Sequence, residues 1–133
     1  MPTLANIVVQ DNVPANRTYI PTARSGGVTQ WEERSSAYAM GYCIFQHSIK
    51  AASANRKGTI GINKHSFTLN VPVVSVADPN APKVSHFIPL RLEANSSDAS
   101  TEAERAAAYD MFRNLLNNTS VRESFVKNVQ WFG

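Results

Sequence analysis

Between Met40 and Glu93 apolar side chains recur at alternate positions, and after Asn95 they recur at helical intervals. This change of period constrains the fold most, because period two gives a strand two faces and period 3.6 gives a helix one stripe. From Met40 to Lys50, Cys43, Phe45, His47 and Ile49 share one face, and Tyr42, Ile44, Gln46, Ser48 and Lys50 share the other. From Ser66 onward, Phe67, Leu69 and Val71 point inward while Ser66, Thr68 and Asn70 point away. Ile60 and Ile62 alternate in the opposite phase, which predicts a turn or bulge at Asn63-Lys64-His65. Pro72 limits ladder pairing beyond Val71, and Val73 to Val76 extend the strand with altered geometry. From Lys83 to Glu93, His86, Ile88, Leu90 and Leu92 oppose Phe87, Pro89, Arg91 and Glu93. Pro89 has no N–H to donate, so this reads as an edge strand or as a position whose N–H points away from the ladder.

Ahead of this region, Ile7-Val8-Val9 and Arg17-Thr18-Tyr19-Ile20 flank turn-forming residues and predict a hairpin. Pro21 and Ser25-Gly26-Gly27 are expected to break the chain before a strand from Val28 to Ser35. At the other end, Thr101 and Glu104 have capping-box spacing, and Ala108, Met111, Phe112 and Leu115 form an apolar stripe. Asn117-Asn118 should end that helix. Ser120 and Glu123 repeat the capping-box spacing before Val121, Phe125 and Val129. The expected class is α+β: an N-terminal β-hairpin, an antiparallel sheet of about five strands and two C-terminal α-helices. At 133 residues this is a single domain, with the hairpin in 1–24, the sheet in 28–93 and the helices in 100–132. Two short helices cannot cover both faces of such a sheet, so one face stays open. A chain of this size gains burial by dimerising.

Hydrophobic residues make up 43% of the chain and charged residues 17%, a balance that excludes a disordered tail. No apolar run is long enough to span a membrane, so no membrane partner is expected. The first ten residues have neither a basic n-region nor a long apolar run, so no secretory signal is expected. The single cysteine, Cys43, fits a reducing compartment. The net charge of +3 is unevenly placed. Residues 1–93 hold nine basic and five acidic residues, a net of +4, whereas residues 94–133 hold four and five, a net of −1. Between Glu33 and Asp78 there is no acid, yet Arg34, Lys50, Arg56, Lys57 and Lys64 lie there.

The residues offer little for catalysis. Cys43 lies mid-strand among apolar neighbours and reads as a small buried hydrophobe. His47, His65 and His86 lack metal-ligand spacing, and on the apolar face His47 and His86 read as hydrogen-bonded structural histidines. Glu32 and Glu33 are adjacent on a strand, so they point to opposite faces. No Gly-rich phosphate loop occurs. We expect no enzyme, no cofactor, no metal and no small-molecule substrate.

The open face carries more information. Gln46, Ser48, Lys50, Ser66, Thr68, Asn70, Phe87 and Arg91 lie opposite the apolar side. Amides, hydroxyls and cations bond phosphates, riboses and base edges, and an aromatic ring offers a surface on which a base can stack. An ordinary solvated sheet face also favours Ser, Thr and Lys. The Phe on a polar face turns the balance toward RNA.

Several segments resemble the coat proteins of single-stranded RNA bacteriophages, the levivirus type. Gly27-Val28-Thr29-Gln30-Trp31 is similar to the family's Gly-Val-x-x-Trp at the start of the first sheet strand. Asn55-Arg56-Lys57 resembles a basic turn between central strands, and Val71-Pro72-Val73-Val74 resembles the Val-Pro that ends the next strand. Ser100-Thr101-Glu102-Ala103-Glu104-Arg105 is similar to a helix start Ser-Thr-x-x-Glu-Arg, and Trp131-Phe132-Gly133 fits an aromatic C-terminus. The order of these motifs runs through the whole chain.

The resemblance implies an interlocked dimer with a continuous sheet, in which the helices of one chain lie across the sheet of the other. It implies assembly into a quasi-equivalent (T=3) icosahedral shell with the sheet face inward. It also implies binding of genomic RNA, and repression of translation through an RNA hairpin. The place implied is the virion, assembled in the bacterial host cytoplasm. By position, Gln46, Ser48 and Lys50 match RNA-facing residues on one strand, Ser66 and Thr68 match those on the next, and Asn55 and Lys57 match turn residues that touch RNA. Phe87 stands where family members place a base-stacking tyrosine, and it lacks that residue's hydroxyl. Pro89 replaces a polar RNA-facing residue, and extra residues lie between Lys57 and Phe67. The alternative is a free dimeric RNA-binding regulator that forms no shell. Particle size separates the two.

Overall fold

The long alternating segments form strands, and the strands order themselves along the sheet as they do along the chain. A computed structural model describes residues 4–10, 16–51 and 61–128. The elements are β1 (Ile7–Gln10), β2 (Asn16–Ser25), β3 (Val28–Glu33), β4 (Cys43–Lys50), β5 (Ile62–Ser75), β6 (Lys83–Ser97), α1 (Glu102–Leu116) and α2 (Thr119–Val126). A short 3-10 turn at Ala39–Gly41 precedes β4. The six strands form one sheet in the order β1-β2-β3-β4-β5-β6. The pairs from β1 to β5 are antiparallel. The chain divides into two compact units, Met1–Asn95 and Ser96–Gly133.

The hairpin forms as expected, with Ile7 opposite Tyr19 and Gln10 opposite Asn16. It is not separate from the sheet. β2 runs past Pro21 to Ser25 and pairs with β3, which raises the strand count to six. Pro21 does not break the strand, because the register shifts between Pro21 and Ala23 and the irregularity accommodates its missing N–H. The turn into β3 is made by Gly26 and Gly27, with φ of 57° and 81° between the paired residues Ser25 and Val28. Two positive φ values in a two-residue loop match the twist of the flanking strands, and only glycine adopts them without cost. Gly27 has a second constraint: a Cβ there would lie 3.2 Å from the Ile49 carbonyl oxygen. Trp31 fixes the segment before β1, its Nε1–H donating to the Ala5 carbonyl at 3.0 Å.

No turn or bulge interrupts Asn63-Lys64-His65. β5 is continuous from Ile62, and its register with β4 runs without a shift from Lys50–Lys64 to Ile44–Asn70. The phase conflict is resolved by exposure. Ile62 is 51% exposed, on the same phase as the polar residues. One exposed isoleucine is unremarkable on a protein surface, whereas a break in the ladder would leave backbone groups unpaired. Pro72 lies inside β5 but beyond its pairing with β4, so no ladder bond to that strand is lost. β6 is the last strand of the sheet, as Pro89 suggested, and continues past Glu93 to Ser97. Before it, Asp78 stabilises the loop: its carboxylate accepts from the Asn80 N–H and its carbonyl from the Ala81 N–H, both at 3.0 Å.

In the second unit, Thr101 and Glu104 make the reciprocal capping box, at 3.2 Å to the Glu104 N–H and 2.9 Å from the Thr101 N–H. Arg105 closes the same corner by donating to the Ser100 carbonyl at 2.6 Å. The cap of α2 is Asn118 rather than Ser120. Asn118 Oδ1 accepts from the Ser120 and Val121 N–H groups at 3.0 and 3.4 Å. Val129 lies outside the described residues. Met111, Phe112, Leu115 and Phe125 are all exposed, at 44% to 65%.

Candidate nucleic-acid interface

The unshifted register of β4 and β5 places the even-numbered residues of the paired segments, 44–50 and 64–70, on one face. Gln46 stands opposite Thr68, Ser48 opposite Ser66, Ile44 opposite Asn70 and Lys50 opposite Lys64. β3 extends these ranks, with Gln30 beside Gln46, Val28 beside Ser48 and Glu32 beside Ile44. Gln46 Nε2 donates to Gln30 Oε1 at 2.9 Å, leaving the Gln46 carbonyl oxygen and the Gln30 amide protons for a ligand. Charge is graded along the strands. Glu32, held by Arg34 at 3.2 Å, lies at one end of the patch, and the exposed Lys50–Lys64 pair lies at the other. Like charges directly opposite in a sheet repel, and a bound anion relieves that repulsion.

Of the residues expected to face RNA, Gln46, Ser48, Lys50, Ser66, Thr68 and Asn70 are brought together on these two strands. Lys50 is exposed and the other five are half-buried. Phe87 and Arg91 stand on β6, the strand next to β5. Phe87 is 56% exposed, a degree at which a large ring is available for stacking. Arg91 is engaged by Glu93 at 2.6 Å, with both side chains exposed. Asn55 and Lys57 lie outside the described residues. Sequence reading missed Gln30 and Lys64 as members of the patch. Lys64 shares the phase of Ser66 and Thr68, a usable signal hidden by the expected bulge, whereas Gln30 is placed only by cross-strand register.

The odd-numbered face is aromatic. Trp31 and Phe45 are 5.5 Å apart between ring centroids, Phe45 and Phe67 6.4 Å, and His47 and Phe67 4.6 Å. Tyr19 meets Phe45 edge-on at 6.4 Å. His65, expected in a turn, lies on this face instead. Its Nδ1 is 3.1 Å from His47 Nε2. Burial, and then His65, lower the pKa of His47. His86 is exposed and bonds Ser85 Oγ at 3.1 Å.

Glu33 is buried at 7% exposure and is well satisfied. It accepts from the Ser35 N–H and the Ser35 hydroxyl, both at 2.9 Å, with Arg17 at 3.9 Å. Across the strand from it, burial and then Glu33 push the half-buried Cys43 thiol above its ordinary pKa, against the opposing pull of Arg17. A thiol held protonated is a poor nucleophile. Among the described residues, no cluster of three metal-ligating side chains occurs, and no helix is long and apolar enough to cross a membrane.

The model of the family described as levivirus coat protein matches residues 2–132. The chain belongs to the levivirus coat protein family. Levivirus coat proteins are structural components of the virion and not enzymes. No curated protein matches. Among solved structures, the chain is similar to the virus-like particle of bacteriophage ESE058, at 19% identity and a TM-score of 0.85 over 99% of this chain and 100% of that one. It is similar to the virus-like particle of Beihai levi-like virus 21 at 17% identity and a TM-score of 0.84, over 99% of this chain and 100% of that one. It also matches a bacteriophage protein described as an unassembled coat protein dimer and RNA-binding dimer. That match has 16% identity and a TM-score of 0.72, and covers 99% of this chain and 100% of that one. At these identities the likeness is one of fold, and the sheet with two C-terminal helices is the coat-protein fold.

Proposed function

We propose that this coat protein works as an interlocked dimer that assembles into a closed icosahedral T=3 shell around single-stranded RNA, with the even-numbered sheet face toward the RNA. The observation that carries the dimer is the lack of an apolar core: among the described residues no hydrophobic side chain is buried. A lone chain leaves Trp31, Phe45 and Phe67 only half-buried and the Met111–Phe112–Leu115 stripe exposed. Burying a large apolar side chain is worth about 1.5–3 kcal/mol, so a second copy that covers both repays its ordering cost. Each chain is then one coat-protein domain, 1–133, completed by its partner. The long edge strand β6 suits edge-to-edge joining of two sheets, because an uncovered edge of that length is a template for another strand.

The RNA reading rests on the patch of Gln46, Ser48, Ser66, Thr68 and Asn70, ending in Lys50 and Lys64. Phe87 supplies the stacking ring, and Arg91, Asn55 and Lys57 supplementary polar contacts. Binding of a hairpin in the phage RNA would repress translation, and assembly would take place in the bacterial cytoplasm. The unassembled RNA-binding dimer among the matched structures favours a shell-free dimer as the second reading. Gel filtration with light scattering separates them. Uniform particles that carry RNA are expected, and a dimer that never grows would overturn the shell.

A further inference from the structure

We propose that His47 and His65 act as a proton-sharing couple that makes closure of the aromatic sheet face by a second copy of the chain dependent on pH. This rests on the dimer reading, because the second copy is what removes that face from water. His47 Nε2 and His65 Nδ1 are 3.1 Å apart, with ring planes 10° from parallel and centroids 5.4 Å apart. A hydrogen bond between two imidazoles needs a proton on one nitrogen and a lone pair on the other. A neutral pair meets that need, and so does a pair with one positive charge. A doubly charged pair turns N–H against N–H and breaks the contact. Phe67 lies flat against His47 at 4.6 Å and offers no acceptor for the displaced proton.

Among the described residues, the odd-numbered face of β3, β4 and β5 carries a single acid, Glu33. On β3, Thr29 stands opposite His47, and the acid on that face is Glu33, already engaged by Ser35 and Arg17. On β2, Arg24 stands opposite Thr29 in the same rank and adds positive charge. On β4 the titratable neighbour is Cys43, held as a neutral thiol. On β5 the flanking odd-numbered residues are Asn63, Phe67 and Leu69. On β6, Arg91 is paired with Glu93 and His86 with Ser85, and Lys83 is a further cation. Burial and His65 both lower the pKa of His47 from its ordinary 6.5. Burial and the His65 charge already oppose the second proton in the uncovered chain, and removal of water by the second copy strengthens that opposition, so closure is fully favoured above about pH 6.5 and weakens as the pH falls below it. One proton per couple gives up to about tenfold per pH unit, and two couples in a dimer up to about 100-fold.

The test is urea unfolding of the full-length dimer at a series of values between about pH 7.5 and about pH 5. The wild-type unfolding constant should climb steeply on acidification. The rise should flatten in His47→Gln and in His65→Gln, and remain in His86→Gln. A slope that is unchanged in the first two variants, or lost in the third, overturns the proposal. If a variant fails to fold, a nuclear magnetic resonance titration of the wild-type histidines decides. Coupled, two-step curves for His47 and His65 support the couple, and independent ordinary titrations overturn it. A monomer at neutral pH overturns the dimer reading as well, whereas a dimer with an unaffected slope overturns this proposal alone.

Discussion

Lys50 and Lys64 stand directly opposite each other across β4 and β5, both exposed, at the end of the polar face away from Glu32. Removing either charge should weaken RNA binding and flatten its salt dependence by about 0.7 log units for each single-strand phosphate left without its cation. Lys50→Ala and Lys64→Ala should therefore each reduce the slope, and the double variant should reduce it about twice as much. Filter binding across a salt series reads this directly. An unchanged slope would remove that lysine from the interface.

Phe87, more than half exposed on β6, should act through its ring. Phe87→Ala should cost about 1–3 kcal/mol of RNA affinity if a base stacks on it, and Phe87→Tyr should retain that affinity. A loss in Phe87→Ala no greater than that of a distant surface variant would leave the ring without a stacking role.

Cys43 should react slowly with thiol reagents in the folded protein at neutral pH, because burial and Glu33 hold its pKa up. Labelling should accelerate on denaturation. Equal rates in the two states would contradict the protonated, sheltered thiol.

Thr101→Ala removes one arm of the capping box on α1 and should cost about 1 kcal/mol. A shift in the urea midpoint with an unchanged m-value would report it. Glu104→Ala should couple to it in a double-mutant cycle, since each side chain bonds the other's backbone.

What could be read from the sequence follows how local each determinant is. The capping box at Thr101 lies within a few residues and was plain, as was the alternation of Phe67, Leu69 and Val71. The phase of Ile62 predicts a bulge at Asn63–His65 only if Ile62 points inward, and the ladder is the stronger constraint. At α2, Asn118 and Ser120 competed for one cap, and the amide of Asn118 reached two N–H groups at once. Lys64, Gln30 and the His47–His65 contact depend on how one strand registers against another. No single-strand period contains that information, so the patch was legible by composition and only in part by membership.

The proposed closure of this chain into a shell around RNA shelters the RNA inside it. It is tested most directly by negative-stain microscopy of the purified protein, paired with nuclease treatment of the same sample. Uniform round particles whose RNA survives nuclease are expected. Free dimers alone, or particles whose RNA is fully digested, would contradict it.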